Sequence, residues 1–96
     1  MSNIHIIRAN GTEEDHTASG PQLLLREVAV LIGAACLDGF NLRNGKRVWV
    51  NDNGLAMGLP VNPKATALYH SICRPGTTQP IVGDVAIVAE PTQPEE

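Results

Sequence analysis

The chain has 96 residues, 43% of them hydrophobic and 18% charged, with a formal net charge of −3. A chain of this length makes one domain and buries roughly 60–70% of its unfolded surface, and the balance of apolar to charged residues excludes an intrinsically disordered protein. The longest apolar run, Val28 to Leu37, is interrupted by Gly33 and is far too short to span a membrane.

In chain order, Asn3 to Arg8 is β-rich and predicts the first strand. Asn10-Gly11 is a turn signal. Thr12 to Ala18 is polar and acidic, and suits a second strand at a sheet edge, where its charges discourage pairing with other chains. A main helix is predicted from about residue 20 to 35. Ser19 and Gln22 have capping-box spacing, and Pro21 sits just inside the start. Leu24, Val28, Leu31 and Ala35 form its apolar stripe, widened by Leu25 and Ile32. Leu23, Val30 and Ala34 lie off that stripe, so two readings stay open: other elements cover the helix on both sides, or it helps form a homo-oligomer interface.

Leu37 to Leu42 and Lys46 to Asn51 flank Asn44-Gly45, a strong hairpin signal. Val48 and Val50 alternate with Arg47, Trp49 and Asn51, as a strand with two unlike faces requires. Asp52-Asn53-Gly54 turns the chain, and Leu55-Ala56-Met57 reads as a short edge strand completing a three-stranded meander. Asn62-Pro63 opens a helix over 63–72. Asn caps free N–H groups, and Pro at the first helical position loses no hydrogen bond. Ile81 to Val88 predicts a buried closing strand, in which Gly83 marks a bulge or a close backbone approach. Residues 90–96, a Pro/Glu tail, are expected to be disordered. The expected fold is therefore α+β: a single small domain over 1–89, with a mostly antiparallel sheet of about five strands and two helices.

Val50-Asn51, Gly54, Gly58-Leu59-Pro60, Asn62 and Ile81-Val82-Gly83 together resemble the pattern of a family of small phage, plasmid and actinobacterial proteins, a domain of unknown function. The resemblance covers roughly residues 3 to 88 and carries no catalytic residues. It implies an accessory protein of a phage or mobile element, a class in which inhibitors of host defence are common.

Cys36 and Cys73 sit in apolar stretches away from metal-ligand spacing, and read as buried free thiols in a reducing compartment. The start, Met1 to His5, lacks the basic region and apolar run of a signal peptide, so a cytoplasmic protein is expected. His70 and Cys73, three apart, are the sole sketch of a small hydrolase, and no local signature surrounds them. Glu13-Glu14-Asp15-His16 reads as a solvated acidic face, since alternating side chains cannot converge on one ion. No cofactor is implied.

From Gly39 to Gln79 there are five basic residues against one acid, while the remainder is acidic. The expected binding residues are Arg47, Trp49, Asn62, Lys64, Tyr69 and Arg74. The free N–H groups and positive dipole end of the 63–72 helix could meet a phosphate, nucleotide or acidic side chain there. Negative total charge and few aromatics disfavour nucleic acid. The leading expectation is a non-enzymatic phage or mobile-element protein that inhibits or sequesters a host-defence component, either a host protein or a nucleotide-like small molecule. A structural homo-oligomer without ligand is the alternative, and the Cys/His hydrolase a weaker one.

Overall fold

The computed structural model of the chain describes residues 3–18, 20 and 24–89. The elements are β1 (Asn3–Ile7), β2 (Glu13–Thr17), α1 (Leu25–Ile32), β3 (Leu37–Asn41), β4 (Arg47–Asn51), α2 (Pro63–Ile72) and β5 (Val85–Val88). Five antiparallel strands form one sheet in the order β2-β1-β5-β4-β3. With two helices this is an α+β fold. The expected charged edge strand is β2.

Strand alternation sends side chains to two faces, and a helix covers each. Ile4, Ile6, Ala86 and Val88 pack with Val28 and Ile32 of α1. On the other face Ile7, Val48 and Val85 pack with Ala65 of α2, and Leu68 and Tyr69 close over them. Both covers are needed because β1, β4 and β5 carry apolar residues on both sides.

The α2 helix runs as the sequence predicts. Asn62 caps it by accepting from the Ala65 N–H at 3.1 Å, with Pro63 next. The hairpin of β3 and β4 turns at Asn44-Gly45, where the Lys46 N–H donates to the Asn44 side chain and Gly45 has φ 87°. α1 is shorter than expected. It stops at Gly33, which adopts the left-handed conformation (φ 68°), while the Ala34 N–H reaches back to the Ala29 carbonyl. Ala34 and Ala35 are therefore outside the helix. Leu24 stands at its N-terminus in extended geometry. The capping box of Ser19 and Gln22 lies outside the described residues, as does the 90–96 tail.

Three further expectations are corrected. Leu55 to Met57 is no strand, since local hydrogen bonds coil it first. The Asn51 side chain accepts from the Asn53 N–H, the Asn51 carbonyl from Gly54, and the Asn53 carbonyl from Met57. The second neighbour of β4 is instead β5. The closing strand is interrupted: Gly83 has φ 77°, and only residues 85–88 join the main sheet. Nor are the cysteines buried. Cys36, displaced from the helix by the stop at Gly33, is exposed, and Cys73 at the end of α2 is half-buried. No helix among the described residues is long and apolar enough to cross a membrane.

Candidate functional site: a clasped groove beside the second helix

The motif positions that scatter over residues 50–83 converge on one structure. The Asn62 N–H donates to the Ile81 carbonyl and the Gly83 N–H to the Pro60 carbonyl, both at 2.8 Å, so segment 60–62 is laced to segment 81–83 around a Val61–Val82 bridge. The Asn62 side chain, fully buried, donates from Nδ2 to the carbonyls of Ile7 and Gly83, each at 2.9 Å. Gly54 is a glycine for want of space, and Gly83 has in addition a left-handed backbone, φ 77°. A Cβ on Gly54 would sit 2.8 Å from Val82 Cγ2, and one on Gly83 would sit 2.8 Å from Leu59 Cδ1. This clasp pins the loop between β4 and α2 against segment 81–83, which leads into β5.

Between the clasp, the β3–β4 hairpin and α2 lies a groove of about 330 Å³, at the small end of the roughly 300–1,000 Å³ typical of ligand sites. Phe40 and Tyr69 form its aromatic wall, with ring centroids 5.1 Å apart and planes tilted by 59°. Val50, Ile81 and Val82 add apolar lining, Leu55 and Pro80 a lip, and Asp38 and Asp52 contribute carboxylates. Among the described residues lining it there is no Lys, Arg or His. The neighbouring Cys73 thiol raises the pKa of the Tyr69 hydroxyl, and burial and the Asp38 charge push the same way. Tyr69 stays a neutral phenol at physiological pH.

Of the six residues expected to bind, Tyr69 alone lines this groove. Arg47 and Trp49 share the α1 face of the sheet. The Arg47 guanidinium stacks on the Trp49 ring at 4.3 Å and donates to Asn41 at 3.0 Å. Gly39 is required opposite them, because a Cβ there would come within 3.0 Å of both side chains. Asn62 is a buried structural residue. Lys64 lies on the other side of the sheet from Arg47, with Nζ 2.6 Å from the Glu13 carboxylate and 2.9 Å from the Gly11 carbonyl. Arg74 is exposed beyond α2, where its carbonyl accepts from Thr77. The basic middle of the sequence is thus dispersed.

The hydrolase pair is engaged elsewhere: His70 Nε2 donates to the Gln79 carbonyl at 2.7 Å, and the Cys73 thiol faces Tyr69. Among the described residues no group of three or more His, Cys, Asp or Glu could hold a metal ion. The acidic strand β2, expected to be merely solvated, is paired on both faces. His5 reaches Asp15 from Nδ1 and Glu13 from Nε2, each at 2.7 Å. Arg8 forks onto Glu14 at 2.9 and 3.0 Å. That guanidinium, aided by His16, holds the Glu14 pKa down to about 2.

A second trough, of about 490 Å³, runs between α1 and Trp49 on the opposite side, beside Val30, which is 75% exposed. The fold and its groove define a small α+β protein with a preformed acidic-aromatic cleft. No protein-family model, curated protein or solved structure matches the chain. The resemblance drawn from residues 50–83 therefore rests on those residues alone.

Proposed function

We propose that this is a non-enzymatic binding protein whose partner is another protein, held at the groove and the loop beside it. The observation that carries the reading is a set of exposed apolar side chains on the loop between β4 and α2: Leu55 is 65% exposed, Met57 58% and Val61 50%. A clasped loop that presents large apolar side chains to water beside a preformed cleft has the make-up of an interaction surface. A nucleotide-like ligand is less well served. Lys64 is paired with Glu13, the Asn62 side chain is engaged in the cap and the clasp, and the groove carboxylates repel phosphate. The family resemblance implies a partner from the host-defence machinery of a bacterium, which the protein would inhibit or sequester.

The test is retention of a host protein by the immobilised chain, compared between wild type and Leu55→Ser/Met57→Ser. Both side chains are exposed, so the double variant folds with a cost within about 1 kcal/mol. Wild type should retain a defined protein in near-equal amount and the variant should lose most of it. Equal retention by both, or none by wild type, rejects the reading.

A further inference from the structure

We propose that the groove recognises a cationic side chain, arginine or lysine, on an extended segment of the protein partner. This deepens the protein-binding reading above and rests on it. Three features of the groove point to that chemistry.

The first is charge. Asp38 near the start of β3 and Asp52 just past the end of β4 meet at the open end of the hairpin and both line the groove, and no basic side chain lines it among the described residues. A cation entering between them meets uncompensated negative charge, whereas the carboxylates of β2 already have partners in His5, Arg8 and Lys64.

The second is the aromatic wall. Phe40 and Tyr69 present ring surface to the groove, and the negative face of a ring attracts ammonium or guanidinium groups. The same surface packs the aliphatic stem of a lysine or arginine, so one long side chain uses both properties.

The third is the lip, and it distinguishes a peptide from a free organic cation. Leu55 lines the groove with Pro80 and is 65% exposed. An apolar residue flanking the cation in an extended segment covers it, which a free organic cation does not do.

Three fluorescein-labelled peptides test this, identical except at the centre of the sequence Leu-Ala-X-Ala-Leu, where X is arginine, citrulline or glutamate. Citrulline keeps the shape of arginine and removes its charge. Binding is followed by anisotropy, and the contact is located by NMR shifts at Asn51 and Tyr69. The arginine peptide should bind wild type about tenfold or more tightly than the citrulline peptide, and the glutamate peptide should bind weakest. In Asp38→Asn/Asp52→Asn, two exposed substitutions, the arginine preference should collapse to less than about twofold. Raising salt from about 50 mM to about 500 mM should weaken the arginine peptide selectively. Equal binding of arginine and citrulline peptides by wild type overturns the proposal. So does a preference that survives in the Asp38→Asn/Asp52→Asn variant, or shifts that avoid the groove. The protein-binding reading is judged separately: a host protein retained by wild type and lost with Leu55→Ser/Met57→Ser, together with no charge preference among the peptides, leaves that reading standing and removes the cationic one.

Discussion

Asn62 carries more of the fold than its place in a helix-start motif suggests. Its oxygen caps α2, while its amide nitrogen ties the carbonyls of Ile7 and Gly83, residues 55 and 21 positions away. The cap was legible because Asn-Pro at a helix start is a local signal. The other two bonds were not, since they depend on β1 and the clasp arriving at the same point. Asn62 thus read as part of a phosphate site when it is sealed from solvent. Asn62→Ala should cost about 2–4 kcal/mol, losing the cap and leaving two buried carbonyls short of a donor. Asn62→Asp is the sharper probe. It keeps the capping oxygen but turns the donating nitrogen into a carboxylate oxygen facing two carbonyls. At neutral pH it should be at least as destabilised as Asn62→Ala in urea unfolding. Relative to wild type at each pH it should recover in acid, where a protonated carboxyl can donate once more. An Asp variant as stable as wild type at neutral pH would show that the nitrogen bonds contribute nothing.

At the scale of elements, the parts that sequence reading placed well are those with local determinants: α2 behind Asn62-Pro63, and the hairpin around Asn44-Gly45. The parts it misplaced were decided by distant or competing contacts. Leu55-Ala56-Met57 has the apolar look of a strand, but Asn51 and Asn53 bind the following N–H groups and curl it away. The groove was invisible for a related reason. Counting charge by stretch put Asp52 in a basic middle and Asp38 outside it, whereas the hairpin brings both to one cleft. Gly83 in the closing strand was a readable clue, and the clasp explains it. Gly83 holds φ 77° beneath Leu59, so Gly83→Ala should cost about 1–3 kcal/mol, chiefly from the left-handed backbone. Leu59→Ala would relieve the contact but not the backbone strain. In a double-mutant cycle by urea unfolding, Leu59→Ala should therefore be less costly in the Gly83→Ala background than in wild type, with most of the Gly83→Ala penalty persisting. A penalty that vanished in the double variant would assign it all to the side-chain contact.

Across the whole molecule, β2 is held to its neighbours by ion pairs as well as by its backbone pairing with β1, and these ion pairs set how stability depends on pH. Both His5 nitrogens face carboxylates, which accept only, so His5 is held as an imidazolium. Its pKa is raised, by the hydrogen bond to Asp15 first and that to Glu13 second. Glu13 is lowered, by Lys64 before His5, and Glu14 falls to about 2 beside Arg8. Arg8 also donates to the Leu31 carbonyl of α1 and to Asp84, so one guanidinium joins β1, β2, the last turn of α1 and the approach to β5. A raised histidine contributes fully below its unfolded value of 6.5, and its contribution disappears as pH rises through the folded value. A lowered glutamate contributes fully above its unfolded value of 4.5 and loses that contribution as pH falls. Stability should therefore peak between these limits, declining on the alkaline side through His5 and on the acid side through Glu13 and Glu14. His5→Gln isolates the alkaline limb: urea midpoints across the pH range should lose the decline above 6.5 and keep the acid one, where Arg8 and Lys64 still hold their glutamates. An alkaline decline of unchanged size in His5→Gln would place its origin outside this cluster. The groove carboxylates Asp38 and Asp52 lie apart from these pairs, so charge that locks the edge strand and charge that recruits a partner can be altered independently.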